Sequence, residues 1–458
     1  MRALVYGAGV LGCLLAHRLH ASGRADVTLL ARGAWADTLE RDGLTVRHVL
    51  QRRTTTDRVR IVRELASDDV YDLTFVVMQA GQVADVLPVV AAASAVRRVV
   101  FVGNNVDALG TAARLAELAA RRQPGAGGAA SGGVAPGPRE VAFAFQSTGG
   151  RREAGRVVSV YARLGMTLGG ADGPLSEGFR REAEGLLAVA GYRVTREDQM
   201  DAWLKCHLAF ILPIAFVSYA CGCNLRRATK AQRRAILDAC REGYALLVAR
   251  GIPIRPAGDK AYLEPGPGRA MLAVMVYVMA KTPLGRLAAT DHCAHAVAEI
   301  RGLAQDFERL RTAAPTSDTV QRSDVSFVPS AALCSGAPVI PGEFSFCDAS
   351  AVPDWSPRRG VPVGSVAVLR SGSSAASSGH PHSCPFAWAG EAPRSGISAT
   401  SDGLLRSGLP AVPSEPLRAA DAQPSPFAMP TWDALRAQMP SWDGLLIDPR
   451  CAISGSSR

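Results

Sequence analysis

Three glycines, an asparagine pair and one lysine are the residues of this chain whose types and spacing could do chemistry. Gly7, Gly9 and Gly12 form GxGxxG within the loop Gly7-Ala8-Gly9-Val10-Leu11-Gly12. The apolar run RALVY precedes it and the amphipathic CLLAHRLHASG follows, so the loop joins a strand to a helix. In that context the first glycine makes a tight turn, the second lets a pyrophosphate approach the backbone, and the third lets helix and strand pack closely. The phosphates would rest on the free N–H groups at the helix N-terminus.

A second strand, DVTLL, ends at Ala31 and Arg32, where NAD-binding loops usually carry an acid for the ribose hydroxyls. An arginine there can pair with a 2′-phosphate, which predicts NADPH; a surface arginine in an arginine-rich chain is the plainer alternative. Asn104 and Asn105 follow the strand VVFVG, at the carboxyl end of a sheet where ligands bind, although asparagine also serves ordinary turns. The lysine is Lys205, in AWLKCHLAFILPIAF. The chain has only Lys205, Lys230, Lys260 and Lys281, so a lysine at the head of a long apolar run calls for a reason.

The elements that position these residues follow from periodicity. RALVY, DVTLL, LTFVVM and VVFVG alternate with helical segments, which predicts a doubly wound parallel sheet. RRQPGAGGAASGGVAPGPRE, residues 121–140, reads as a flexible surface insertion. VAFAFQSTGG, GRVVSVYA and MTLGG add strands and close a dinucleotide-binding domain over 1–172. From 173 to 312 the spacing is helical, in FRREAEGLLAVAG, the Lys205 run, AQRRAILDACREGYALLVARG and HAVAEIRGLAQDFERL, which predicts an all-α substrate domain. Residues 313–458 hold many prolines and serine-rich stretches and read as a largely disordered tail, with PTWDALRAQMPSWDGLL its one helical piece; truncation at Pro315 is expected to leave a soluble, cofactor-binding protein.

Composition narrows the classes. The formal charge of +10 comes from scattered arginines with no basic block between aromatics, which argues against nucleic acid. The 10 cysteines show no disulfide framework and no paired CxxC metal knuckles, and no secretory segment opens the chain, which predicts a reducing cytoplasm. Cys206 to Asn224 is uncharged, but Pro213, His207 and the lack of a second such run predict a buried helix rather than a membrane span.

GAGVLG, VTLLARGAWADTLERDGLTV, FVGNN, STGGRREAGRVV, AWLK and AEIRGL, in this order and spacing, resemble the ketopantoate reductase (2-dehydropantoate 2-reductase) family over 1–312 without the glycine-rich insertion. The resemblance implies a Rossmann domain followed by a helical domain, NADPH as cofactor, reduction of an α-keto acid to an α-hydroxy acid as in pantothenate biosynthesis, and frequently a homodimer. It implies that Lys205, in the Trp-x-Lys segment with Trp203, is the general acid for the carbonyl oxygen. It also implies that Asn104 binds the lysine or the nicotinamide side of the substrate, and that Glu299 holds the hydroxyl and orients Lys205. Gln79, in VVMQAGQV, joins the cofactor contacts where the family usually has lysine.

Other departures bear on substrate. The family carries asparagines four and eight residues after the lysine, and this chain has Ala209 and Pro213, which argues against ketopantoate itself. Cys206 and His207 stand beside the lysine as replacement polar groups, and His295 precedes Glu299 by one helical turn. Two further readings stay open: a cofactor-binding sensor or partner-binding protein without catalysis, and an opine-type or hydroxyacid dehydrogenase with His207 as its base.

Overall fold

The computed structural model describes residues 1–93, 96–121, 139–282, 291–313 and 427–447. The glycine-rich insertion, but for its ends, and residues 314–426 and 448–458 of the expected tail lie outside the described residues.

The first domain begins β1 (Arg2–Tyr6), α1 (Val10–Ala21), β2 (Asp26–Leu30), α2 (Gly33–Asp42), β3 (Leu44–His48), β4 (Arg53–Asp57) and β5 (Arg60–Val62). It continues β6 (Leu73–Val77), α3 (Ala80–Ala92), β7 (Arg98–Val102), α4 (Ala108–Ala120), β8 (Glu140–Gln146), β9 (Gly149–Glu153), β10 (Arg156–Val160), β11 (Gly165–Gly169), α5 (Glu177–Val189) and β12 (Arg193–Arg196). Eight strands form one sheet in the order β12-β11-β8-β7-β6-β1-β2-β5. Its pairs are parallel except β8 with β11, so the two strands beyond β8 run against the rest. Central strands are covered on both faces, which is why LTFVV in β6 is buried at every position and apolar at all but Thr74.

A smaller sheet, β4-β3-β10-β9, packs against the other side of α1. It brings Leu44, Val46 and Val157 into one core with Cys13, Leu14 and Leu15. Periodicity gave no sign of β4, RTTTD, because it is an edge strand with no fully buried residue and therefore no apolar alternation. The boundary expected at 172 also moves. α5 and β12 return to the large sheet by a β-α-β crossover, and Phe179, Ala183, Leu186, Leu187 and Tyr192 belong to the first domain's core. The first domain therefore runs to Arg196, since FRREAEGLLAVAG is a crossover helix rather than the first helix of a second domain.

The helical body contains α6 (Met200–Ala220), α7 (Lys230–Ala249), α8 (Pro267–Lys281), α9 (Asp291–His295), α10 (Val297–Thr312), α11 (Pro430–Gln438) and α12 (Trp442–Ile447). α6 is, among the described residues, the one helix long and apolar enough to cross a membrane, and 94% of its apolar window is buried inside the protein. α7 opens on a capping box between Thr229 and Gln232. The expected single helix over HAVAEIRGLAQDFERL is two, because Ala296 leaves the helical conformation at φ −127°, ψ 30°.

Residues 427–447 correct the assignment of 313–458 to a tail. Trp432 is 3% exposed, stacks on Phe307 at 4.9 Å between ring centroids and meets Phe216 edge-on at 5.4 Å. Glu242 of α7 accepts hydrogen bonds from the backbone N–H groups of Thr431 and Trp432 at 3.0 and 2.8 Å, capping the start of α11. Arg311, near the end of α10, donates to both carboxylate oxygens of Asp433 and to the Phe427 carbonyl. Met429, Leu435 and Leu445 complete the insertion of this segment into the helical core. An aromatic side chain buried to this degree contributes about 3–5 kcal/mol.

Candidate active site

The glycine loop has the three roles its spacing requires. At Gly7, φ is +121° and a Cβ would lie 2.2 Å from the Val77 carbonyl oxygen, so only glycine makes this turn against β6. At Gly12 a Cβ would lie 1.9 Å from the Gly7 carbonyl oxygen, which is the close approach of α1 to the strand. A Cβ at Gly9 would meet no atom within 4 Å, so the loop is open where a phosphate must come near. Gly9 caps α1 with no side-chain hydrogen bond, leaving the first-turn N–H groups to an anion. Trp35 of α2 braces the loop, its indole N–H donating to the Ala8 carbonyl at 2.9 Å.

This loop forms one end of a cavity of about 790 Å³. Every expected cofactor contact lines it: Gly7, Ala8, Gly9, Val10, Leu11, Gly12, Arg32, Gln79 and Asn104. Arg32 precedes α2 at the end of β2, with no carboxylate beside it in sequence. Arg152 of β9 also lines the cavity and lies over the Trp35 ring at 5.4 Å. Gln79 is the N-cap of α3 and forms a capping box with Gln82, so the residue in the family's lysine position is used to start a helix. A turn, an open approach and a close contact at the three glycines, with two guanidinium groups nearby, fit a dinucleotide with anionic phosphates.

At the other end Asn104 and Glu299 meet. Asn104 follows β7 and is 8% exposed; its amide donates to a Glu299 carboxylate oxygen at 3.0 Å, 195 residues away in sequence. The second domain is thereby tied to the carboxyl end of the sheet. The Asn104 amide oxygen is buried with no protein partner, a polar atom left for a ligand. The resemblance predicted that Glu299 would orient Lys205; its hydrogen bond goes to Asn104 instead.

Lys205 is not among the residues that line the cavity. Its ammonium pairs with Asp201, one turn earlier on α6, and both side chains are buried. The other oxygen of Asp201 accepts from the N–H groups of Ala108 and Leu109, at 2.9 and 3.3 Å, at the start of α4. The physical reason is the face of the helix. α6 lines the cavity with His207, Phe210, Ile211, Ile214 and Ala215, one stripe at three- and four-residue spacing. Lys205, two residues before His207, stands about 200° round the helix from it.

Ala209 and Pro213 share that averted face. A Cβ on Gly243 of α7 would lie 3.0 Å from Ala209 Cβ and 3.3 Å from the Trp432 ring, so Ala209 is small because two helices cross there. The substitution expected to remove a substrate contact is a packing residue. Cys206 does not face the cavity either; it is buried against the Pro253 carbonyl and the Arg255 N–H, and burial pushes its thiol up to about 12.

His207 is in the wall. Its ring lies parallel to Trp203 at 7° and 5.4 Å between centroids, and 4.3 Å from the Phe145 ring. His295 and Glu299 both line the cavity, although on separate helices, α9 and α10. Sequence reasoning missed Trp35, Arg152 and Tyr161 as lining residues; the first two fall within segments that carry the resemblance but have no role in it, and only their placement by α2 and the smaller sheet brings all three to the cavity.

Residues 3–152 match the family model described as ketopantoate reductase PanE/ApbA. The comparison with curated proteins gives no match. Among solved structures, the chain is similar to the 2-dehydropantoate 2-reductase of Geobacter metallireducens GS-15, at 17% identity over 70% of this chain and 97% of that one, with a TM-score of 0.50. It is also similar to the 2-dehydropantoate 2-reductase of Methylococcus capsulatus, at 17% identity over 71% and 99% of the two chains and a TM-score of 0.44. A ternary structure of D-mandelate dehydrogenase with NADH and anilino(oxo)acetate matches at 14% identity over 70% and 96%, with a TM-score of 0.48.

Proposed function

We propose, for a chain whose residues 3–152 match the ketopantoate reductase PanE/ApbA family model, that the protein reduces the carbonyl of a small α-keto acid to the α-hydroxy acid with NADPH. The observation that carries this reading is that one cavity contains both the open glycine loop and the Asn104–Glu299 pair. Bound there, a reduced nicotinamide supplies hydride to a carbonyl carbon. Arg32, with Arg152 near, favours the 2′-phosphorylated cofactor through charge-assisted hydrogen bonds. Asn104 donates to the substrate oxygen with the second hydrogen of its amide nitrogen, the first being held by Glu299, which fixes the direction of the amide. Phe210, Ile211, Ile214, Met279 and Ile300 line the same cavity and favour a substrate with an apolar side chain. Lys205 acts in this reading through Asp201, as a positioning residue that holds the start of α4 just beyond Asn104.

Fluorescence titration with NADPH and NADH, then absorbance at the reduced-cofactor band with a panel of α-keto acids, tests the assignment. Tighter binding of NADPH, lost about tenfold or more in Arg32→Ala, and oxidation with one acid are expected. Tight NADPH binding with no acid consumed would move the weight to a cofactor-binding sensor.

A further inference from the structure

We infer that α12, which the chain supplies from its far end, is a positioning element for the substrate end of the cavity; its effect on turnover rests on the reductase reading above. The wall there includes the joint between α9 and α10, where Cys293, His295, Ala296 and Glu299 all line the cavity. Such a joint has little support of its own. Ala296 leaves the helical conformation, and the last carbonyls of a helix, here α9, lack partners within it. Two outer contacts hold the joint, and both lead to the first two residues of α12. Tyr219 of α6 is fully buried, and its hydroxyl donates to the Cys293 carbonyl at 3.0 Å. The half-buried Trp442 meets the Tyr219 ring edge-on at 5.9 Å between centroids and so holds the ring that carries this hydroxyl. Arg301 of α10 donates to the Asp443 carboxylate at 3.2 Å, 142 residues away in sequence.

The start of α10 is thereby pinned on two sides. Glu299 and Arg301 stand about 200° apart round the helix, so one meets Asn104 and the other meets α12. When α12 lifts away, the joint is free to shift, and the Glu299 carboxylate that directs the Asn104 amide shifts with it. The segment is built to stay seated. Ser441 caps α12, its hydroxyl accepting from the Gly444 N–H at 3.1 Å, and Leu445 is buried in the helical core. None of these residues belongs to the glycine loop at the other end of the cavity, so α12 acts on the substrate and not on the phosphates of the cofactor.

The experiment compares the full chain with its Trp442→Ala, Trp442→Phe and Tyr219→Phe variants. Hydrogen exchange at the amides of Ala296 to Ile300 reads the joint directly and needs no turnover. It should quicken about two- to tenfold in Tyr219→Phe, which removes one hydrogen bond and keeps the ring, and at least as much in Trp442→Ala. Trp442→Phe should restore it, and exchange in β1 should not change; a general loss of stability would quicken both. Combining Tyr219→Phe with Trp442→Ala should add little to the latter alone, because both act through Cys293. With a keto acid that wild type reduces, KM should rise by a similar factor while NADPH affinity holds. Should Trp442→Ala not fold, Tyr219→Phe decides. Wild-type exchange at the joint in the folded variants would overturn the proposal, and so would quickened exchange with KM unchanged. Quickened exchange in a protein that reduces no keto acid would keep α12 as the support of the joint and remove the reductase reading instead.

Discussion

The glycine loop and helix α6 wall the same cavity, yet different distances along the chain hold them in place. The loop is fixed within its own domain: the Gly7 carbonyl, five residues away, forbids a side chain at Gly12, and the Val77 carbonyl, 70 residues away on the adjacent strand β6, forbids one at Gly7. α6 is fixed by α7 and by Trp432, which follows it by more than 200 residues. A loop fixed inside one domain keeps the chemistry its spacing announces. A helix specified from afar presents to the cavity whichever face the packing leaves over, here His207, Phe210, Ile211 and Ile214 rather than Lys205, Ala209 and Pro213.

The contrast is most sharply tested by removing the distant support. A chain ending before Pro315 lacks Met429, Trp432, Leu435 and Leu445 and bares Phe216 and Phe307. Size-exclusion chromatography should show aggregation; a monodisperse, cofactor-binding product would mean that α6 holds its face unaided. Next in size is Lys205→Met, which leaves Asp201 buried without its cation and should cost about 3–5 kcal/mol in denaturant unfolding, partly restored by Asp201→Asn. No change in stability would break the claim that this pair is structural.

At the loop the expectation is a division between two alanine variants. Gly9→Ala should leave the melting temperature unchanged and weaken NADPH binding, because its methyl meets only the space a phosphate needs. Gly12→Ala should lower both, since its methyl strikes the Gly7 carbonyl. Equal behaviour of the two would erase the distinction between a packing glycine and a binding glycine.

The smallest effect concerns acid. His48 is fully buried, bonded to Tyr161 at 2.8 Å and Thr55 at 2.9 Å, and burial, with His17 and Arg53 near, holds its pKa down at about 4. Burial also lowers His17, against its bond to Asp57. The unfolded chain binds protons below about pH 6.5 that the folded protein refuses, so stability is full above that value and falls as pH drops toward 4. Denaturant midpoints across this range should slope downward with acid, and less so in His48→Gln.

How much of this could be read from sequence follows the same division. The dinucleotide loop, the strands β1, β2, β6 and β7 and the position of Asn104 at a strand end were legible because each signal lies within a few residues. The joining of Asn104 to Glu299 was not, since it depends on how two domains meet. On α6 the spacing separates two faces, one with Lys205, Ala209 and Pro213 and one with His207, Phe210, Ile211 and Ile214, but nothing local says which turns inward. That choice rests on Gly243 and Trp432. Similarly, PTWDALRAQ announces a helix, with proline in its first turn and apolar residues three apart, and gives no hint of its seat on Phe307.

The seat of Trp432 also sets a clock on synthesis. Trp432 is added 120 residues after Thr312, the last residue of α10. At roughly 5–20 residues per second the ribosome needs roughly 6–24 s to cover that distance. For that interval α6, α7 and α10 are complete while Phe216 and Phe307 wait uncovered, so the nascent helical body passes through a long sticky stage that the first domain, finished at Arg196, does not share.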